Sequence, residues 1–195
     1  MIKQYSSQLT IAGSDEAGRG CLAGPVFAAA VILPDGFQHN RLNDSKLLSQ
    51  KTRNELRRYI EKNAISYSVQ RVDEKEIDDI NILRASINAM HRAINSLSIS
   101  PDLLLIDGNR FTPFPGIKHI CVVKGDQKYF SIAAASILAK TYRDDFMIRL
   151  DEEFPQYQWA KNKGYGTKEH VNAIRKYGYS EFHRRSFKVK SLEGV

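Results

Sequence analysis

Apolar side chains recur in short stretches that predict β-strands over the first two thirds of the chain. Residues 8–14 place Leu9 and Ile11 on one face of an extended segment, as expected for a strand that is buried on one side. Residues 103–106 are a continuous apolar run, which is typical of a central strand buried on both faces. The predicted strands cover residues 8–14, 23–33, 65–72, 103–106 and 117–123.

Helical spacing fills most of the intervals between these strands. Ser49 is a suitable cap for a helix that carries Leu56 and Ile60 on one face. Asp73 and Glu76 have the form of a capping box. The predicted helices cover residues 49–63, 73 to about 96 with a break near Asn81, 131 to about 153, and a last segment from Thr167 to Gly178.

The order of these elements predicts an α/β fold, in which helices flank a sheet. The C-terminal third is helical, and no linker is long enough to separate a second independent domain. We therefore expect residues 1–155 to form the α/β core and residues 156–195 to form a basic, helical C-terminal part of the same domain.

Charge is spread unevenly over the 195 residues, which carry a net charge of +7. Residues 156–195 contain nine basic and three acidic side chains, a net charge of +6, which leaves +1 for the first 155 residues. A basic block beside a neutral body suggests an anionic polymer as partner. On charge alone, a solvated basic face is an equal alternative.

Composition also excludes several classes of protein. The longest apolar run is the eight residues from Val26 to Leu33, whereas a membrane span needs roughly 20, and the N-terminus lacks the apolar core of a secretory signal. Cys21 and Cys121 are the two cysteines of the sequence. They argue against a disulfide scaffold or a zinc ribbon and fit a reducing compartment, so we expect a cytoplasmic protein.

Acidic residues stand at the ends of three predicted strands. Asp15 and Glu16 precede a Gly-Arg-Gly turn, Asp107 follows the apolar run, and Asp126 follows the strand at 117–123. Each acid alone could be an ordinary turn residue. Two adjacent acids on a regular strand face opposite ways, so Asp15 and Glu16 can serve one site only if the strand ends or twists there.

Together the four acids could converge on one metal site. Buried carboxylates repel one another and take up protons, and a hard divalent cation removes that cost. Ligation by oxygen alone favours Mg²⁺ or Mn²⁺ over zinc. Four carboxylates can hold two ions roughly 4 Å apart, which activate a water and stabilise a leaving oxygen in phosphodiester cleavage. With the basic C-terminal block, this pattern points to a metal-dependent nuclease.

Eight motifs, in order along nearly the whole chain, resemble those of the type 2 ribonuclease H family, ribonuclease HII. The motifs are Asp15–Gly20 with Ala23–Pro25, Asn43–Lys46, Asp107–Gly108, Lys124–Asp126, Ser131–Lys140, Gly164–Thr167 and His183–Phe187. The resemblance implies a ribonuclease H-like mixed β-sheet flanked by helices, with a C-terminal helical extension. It also implies an endonuclease that cuts RNA within RNA–DNA hybrids and single ribonucleotides embedded in duplex DNA. The expected cut lies 5′ to the ribonucleotide and leaves 3′-hydroxyl and 5′-phosphate ends.

The resemblance assigns roles to individual positions. Asp15, Glu16, Asp107 and Asp126 match the four metal-binding acids, which would carry two ions in the reactive complex. Gly18, Arg19 and Gly20 match the turn that reads the 2′-hydroxyl largely through its backbone, and the 2′-hydroxyl is what distinguishes RNA from DNA. Tyr165 matches an aromatic residue that stacks on the sugar of the following deoxynucleotide.

Several basic residues near these motifs could bind substrate. Arg19, Lys46, Lys140 and Arg184 are candidate phosphate ligands, and such contacts position a duplex without reading its sequence. His170 and His183 are expected to be cap or packing residues. We expect no nucleophilic role for Cys21.

Two alternative functions remain open at this level. A non-catalytic domain could keep the fold and the basic face and bind nucleic acid without cutting it. A type 3 ribonuclease H, or another nuclease of the same fold, could prefer longer RNA tracts or branched DNA. Only 14 residues precede Asp15, which disfavours a type 3 enzyme because those carry an additional N-terminal substrate-binding domain. We expect a monomer, since no coiled-coil pattern appears.

Overall fold

Five strands form one mixed sheet in the computed structural model, which describes residues 3–5, 8–42 and 48–188. The strands are β1 (Ile11–Ala17), β2 (Val26–Ile32), β3 (Ser66–Val72), β4 (Leu103–Asp107) and β5 (Lys118–Val122). Their order across the sheet is β3-β2-β1-β4-β5. β1 pairs antiparallel with β2 and parallel with β4, β2 pairs antiparallel with β3, and β4 pairs parallel with β5. The mixed sheet is the architecture expected from the sequence.

Six α-helices and two short 3₁₀ turns connect and cover the strands in the described part of the chain. The helices are α1 (Gln50–Asn63), α2 (Glu74–Ile80), α3 (Ile82–Asn95), α4 (Phe130–Glu153), α5 (Trp159–Asn162) and α6 (Lys168–Tyr177). The 3₁₀ turns are Gly125–Gln127 and Pro155–Tyr157. The expected break at Asn81 is confirmed, because the Asn81 side chain accepts hydrogen bonds from the backbone N–H groups of Leu83 and Arg84 and caps α3.

The sheet is buried between two helical layers. On one face, α4 and α1 cover Ala29 and Val31 of β2. On the other face, α2 and α3 cover Ala28 and Ala30 of the same strand. Both faces of β2 therefore lie in apolar cores, which explains why its sequence is apolar throughout rather than alternating.

Gly13 brings α4 against the centre of the sheet. A Cβ atom at Gly13 would collide with the backbone of Ser131 and Ile132, in the first turn of α4. The missing side chain thus allows helix and strand to approach closely. This contact places the following turns of α4 beside the end of β1, where Asp15 lies.

The C-terminal segment packs on the same body. Trp159 and Tyr157 stack with ring centroids 4.9 Å apart, and they share an apolar cluster with Met147 and Leu150 of α4. Ala23, in the loop after β1, belongs to that cluster. These contacts suit a C-terminal part of one domain, and the proposed division after residue 155 stays a prediction.

The largest difference from the sequence-based expectation concerns β1. The strand was expected over residues 8–14 and is found at Ile11–Ala17, so Asp15 and Glu16 lie within it rather than after it. Pairing with β2 continues through both acids, since Asp15 lies opposite Ala29 and Glu16 opposite Ala28. Among the described residues, no helix is long and apolar enough to span a membrane.

Candidate active site

The four candidate acids line one cavity at an edge of the sheet, together with Asp144 of α4. Because β1 and β4 are parallel and Ser14 lies beside Ile106, Asp15 and Asp107 follow on neighbouring strands at the same edge. Asp126 lies in the 3₁₀ turn that follows β5. With Glu16, these side chains line a cavity of about 660 Å³. The structure therefore brings together acids that are more than 100 positions apart in the sequence.

Asp15 is the most deeply placed acid on β1. It is 5 % exposed, and its carboxylate accepts a hydrogen bond of 2.7 Å from the backbone N–H of Glu16. Burial, together with the negative charges of Glu16 and Asp107, raises the pKa of Asp15 to about 7, against the opposing charge of Lys140. A carboxyl group in this setting gains from a bound cation.

Glu16 reaches the cavity from the other face of β1. It also borders a smaller cavity against Leu83 and Ser86 of α3, as expected for consecutive residues of a strand. Its carboxylate forms an ion pair of 3.0 Å with Arg19. Burial raises the pKa of Glu16, and the neighbouring Arg19 opposes that shift. Both acids can face one cavity because β1 ends at Ala17, directly beyond them.

The donor set fits a hard divalent cation, although the four carboxylates do not converge on one point. Asp107 accepts a hydrogen bond of 2.7 Å from the backbone N–H of Gly125, and Asp126 is buried. Among the residues described, no three Asp, Glu, His or Cys side chains lie close enough to hold a metal ion as they stand.

The Gly18-Arg19-Gly20 turn forms one wall of the cavity. Gly18 has a φ of +96°, and a Cβ atom there would collide with the guanidinium of Arg143. A Cβ atom at Gly20 would meet nothing within 4 Å. Gly18 is therefore required by the protein's own packing, whereas the backbone at Gly20 is open to a ligand. Tyr165 lines the same cavity and is 50 % exposed.

Basic side chains complete the lining. Lys140, on α4, lies in the cavity and donates a hydrogen bond of 2.6 Å to the Ser136 hydroxyl. The structure adds four cationic residues that the sequence did not single out, namely Arg53, Arg143, Lys161 and Lys163. The two lysines belong to the basic C-terminal block, so the clustering of positive charge in the sequence could have identified them. Arg53 lies on α1, and nothing in its sequence neighbourhood points to the cavity.

Of the candidate phosphate ligands, Arg184 does not line the cavity. Arg184 is 1 % exposed, and its guanidinium donates hydrogen bonds to the backbone carbonyl oxygens of Gly24 and Arg19. This burial contradicts the expectation that Arg184 contacts a phosphate, because its donors are used inside the protein. Lys46 lies outside the described residues.

His170 and His183 form a buried pair away from the acids. His170 Nε2 lies 3.0 Å from Trp159 Nε1, which donates to it, and 3.2 Å from His183 Nε2. The backbone N–H of Ser180 donates to His183 Nδ1. Burial, aided by His170 and Arg185, lowers the pKa of His183 to about 3. Both imidazoles are thus packing residues with satisfied hydrogen bonds, as expected.

Comparisons with known proteins agree on one family. A family model described as Ribonuclease HII matches residues 12–190. The chain is 61 % identical over 189 residues to a protein named Ribonuclease HII from Christiangramia forsetii, covering 97 % of this chain and 96 % of the relative. The crystal structure of ribonuclease H2 from Pyrococcus horikoshii OT3 superposes with a TM-score of 0.75 at 26 % identity, covering 92 % of this chain and 94 % of that one.

A more distant likeness concerns the fold alone. The crystal structure of Bst-RNase HIII in complex with Mn²⁺ superposes with a TM-score of 0.68 at 18 % identity, covering 90 % of this chain and 64 % of that one.

Proposed function

Because this chain belongs to the ribonuclease HII family, we propose that it cuts single ribonucleotides embedded in duplex DNA as well as RNA–DNA hybrids. Family membership makes it a metal-dependent endoribonuclease that acts on RNA–DNA hybrids. The proposal adds the position of the cut, 5′ to the ribonucleotide, with 3′-hydroxyl and 5′-phosphate products. It also adds two-metal catalysis at the acidic cavity.

One observation carries this proposal: the acids of β1, β4 and the turn after β5 line a single cavity together with basic side chains. Asp15, Glu16, Asp107 and Asp126 would hold Mg²⁺ or Mn²⁺. When bound, the ions supply the positive charge that activates a water and stabilises the departing 3′-oxygen. The buried Asp15 favours a cation, because binding one replaces the proton that burial otherwise makes it retain.

The remaining wall of the cavity supports recognition of the RNA strand. The open backbone at Gly20 offers both an N–H donor and a carbonyl acceptor, and a 2′-hydroxyl both accepts and donates hydrogen bonds. The half-exposed ring of Tyr165 offers a surface for the sugar of the next nucleotide. Arg19 and Lys140 carry positive charge into the cavity, where phosphates would lie.

The choice of metal, the oligomeric state and the location stay predictions. Mg²⁺ and Mn²⁺ both suit ligation by carboxylate oxygens, and Mn²⁺ is the useful probe for experiments. A monomer in the cytoplasm remains the expectation. In the described residues Cys21 and Cys121 are both free thiols.

The experiment uses a labelled DNA duplex with one ribonucleotide. With Mg²⁺ the enzyme should cut once, 5′ to the ribonucleotide, and EDTA should stop the reaction. An all-DNA duplex of the same sequence is the control and should stay intact. Asp15→Asn should lose most turnover and keep much of its binding.

Binding that weakens with salt, without cleavage in any divalent metal, would contradict the proposal. That result would favour the non-catalytic nucleic-acid-binding function. Cutting confined to longer RNA tracts would instead point to the specificity of another nuclease of this fold.

A further inference from the structure

Two buried arginines lie beneath the turn and Tyr165. Arg143 of α4 is 2 % exposed and Arg184 is 1 % exposed. Within the described ranges neither forms an ion pair with a carboxylate. Burying a charged group is costly unless hydrogen bonds compensate for the lost water. The partners of these two side chains therefore indicate what they do.

Arg143 connects three loop carbonyl groups. Its Nε donates to the Pro25 carbonyl oxygen at 3.0 Å, its Nη2 to that of Ala23 at 3.1 Å, and its Nη1 to that of Lys163 at 2.8 Å. Pro25 and Ala23 follow the Gly18–Gly20 turn, whereas Lys163 precedes Tyr165 by two residues. One guanidinium thus joins the loop that follows the Gly18–Gly20 turn to the loop that carries Tyr165.

Arg184 holds the same turn from its other side. Its Nε and Nη2 donate to the Gly24 carbonyl oxygen at 2.9 and 2.6 Å, and its Nη1 donates to that of Arg19 at 3.0 Å. The Arg19 carbonyl lies inside the turn itself. Hydrogen bonds that involve a charged donor are stronger than neutral ones, so the middle of the turn and the loop after it are firmly held.

Direct contacts also join the two loops. The backbone N–H of Leu22 donates to the Gly164 carbonyl oxygen at 2.7 Å. Cys21 and Tyr165 form an antiparallel β-bridge. The turn and Tyr165 therefore form one unit, which we name the reading unit: residues 18–25 and 163–165.

Arg143 also ties the reading unit to the acids. It lies three residues after Lys140 on α4, so both side chains project from the same helix face, and both line the acidic cavity. The absence of a Cβ atom at Gly18 is what leaves room for the Arg143 guanidinium. A single helix thus sets the distance between the reading unit and the metal-binding edge.

We propose that Arg143 and Arg184 are positioning residues whose hydrogen bonds to loop carbonyls set the spacing between the Gly18–Gly20 turn and Tyr165, and thereby the preference for an RNA-to-DNA step. The inference rests on the proposed function, because it concerns how that site selects its substrate. A single ribonucleotide requires the turn and Tyr165 to meet adjacent sugars at one fixed distance. A continuous RNA–DNA hybrid presents a 2′-hydroxyl on every sugar of one strand, so its cleavage depends less on that spacing.

The test compares Arg143→Lys and Arg184→Lys with the wild type on two substrates. One substrate is a DNA duplex with a single ribonucleotide, and the other is a continuous RNA–DNA hybrid of equal length. Lysine keeps the positive charge but lacks the planar guanidinium fork whose donors reach the separate carbonyl groups. Displacements of about 1 Å at a reacting centre can cost about a hundredfold. We define the ratio as kcat/KM on the single-ribonucleotide duplex divided by kcat/KM on the continuous hybrid. In both variants we expect this ratio to fall by about tenfold or more.

Arg57→Lys is the matched control. Arg57 is a partly buried arginine of α1 that pairs with Glu61 and lies over the Tyr142 ring, outside the reading unit. This variant should keep the wild-type ratio. If the Arg143 and Arg184 variants lower both kcat/KM values equally, or keep the wild-type ratio, the positioning role is wrong.

A measurement on the wild type covers the case in which these variants fail to fold. Hydrogen exchange of the metal-free protein should show the backbone amides of Leu22 and Tyr165 protected by roughly a thousandfold or more, as in a preformed unit. Exchange at the rate of an unstructured peptide would overturn the proposal without any variant. The two failures are distinguishable: wild-type protein that never cuts the single-ribonucleotide duplex refutes the proposed function, and the inference with it. If the wild type is active, the inference alone is refuted by an unchanged ratio in the two arginine variants. It is likewise refuted by an unprotected reading unit in the wild type.

Discussion

Replacing Asp15 by asparagine should make the protein more stable while removing its activity. Burial raises the pKa of Asp15 from 3.8 to about 7, so the folded state disfavours the ionised carboxylate. Each pKa unit corresponds to about 1.36 kcal/mol. A shift of this size amounts to about 4 kcal/mol once the pH exceeds the folded pKa, where the group is ionised in both the folded and the unfolded chain.

The sign of the effect follows from the direction of the shift. A carboxyl group whose pKa is raised on folding destabilises the protein progressively as the pH rises from its unfolded pKa, 3.8, to its folded pKa of about 7. Asparagine stays uncharged at every pH, so Asp15→Asn should not suffer this destabilisation. We expect its free energy of unfolding at pH 8 to exceed that of the wild type by up to about 4 kcal/mol.

Urea unfolding of the metal-free proteins between pH 4 and pH 8 measures this difference. The control is Asp79→Asn, which removes an exposed carboxylate of α2 and should follow the wild type. Added Mn²⁺ should then stabilise the wild type by about 2.7 kcal/mol at 100 times its dissociation constant, and the Asp15 variant much less. Equal pH dependence in wild type and Asp15→Asn, or equal stabilisation of both by Mn²⁺, would refute the reasoning.

Three further predictions concern packing, pH and phosphate binding. Gly13→Ala should cost more than about 2 kcal/mol in urea unfolding, because the new Cβ meets the α4 backbone; an unchanged midpoint would contradict the close contact. Since burial lowers the pKa of His183 to about 3, the His183 contribution to stability should fall as the pH drops below about 6.5, by up to about 1.4 kcal/mol per unit. His183→Gln should remove that contribution, so its free energy of unfolding should gain on that of the wild type as the pH falls in acid titrations. Lys140→Met should weaken binding to an RNA–DNA hybrid and reduce the slope of log affinity against log salt by about 0.9; an unchanged slope would remove Lys140 from the phosphate contacts.

The acidic edge of the sheet could be anticipated because it depends on local patterns. An apolar strand that ends in Asp107 places an acid at the sheet edge, whatever the order of the strands. Parallel neighbours then align such ends, and the structure places Asp15 beside Asp107 in this way. The exact bounds of β1 were not predictable, because pairing with β2 holds Asp15 and Glu16 in the strand.

The roles of the buried arginines could not be anticipated, because their partners are distant backbone groups. Arg143 binds carbonyl oxygens of residues 118 and 120 positions away, and Arg184 binds those of residues 160 and 165 positions away. In the sequence, both look like surface cations within basic or helical segments. Backbone carbonyls carry no signature in the sequence, so only the fold shows that these charges are used internally.

A crystal soaked in Mn²⁺ tests the central claim most directly, because anomalous scattering locates the ions without reference to activity. The account predicts Mn²⁺ peaks at the sheet edge with carboxylate oxygens of Asp15, Glu16, Asp107 and Asp126 as ligands. In an Asp15→Asn crystal soaked in the same way, at least one peak should be weaker or absent. Peaks elsewhere on the protein, or an acidic edge without Mn²⁺ at saturating concentration, would contradict the account.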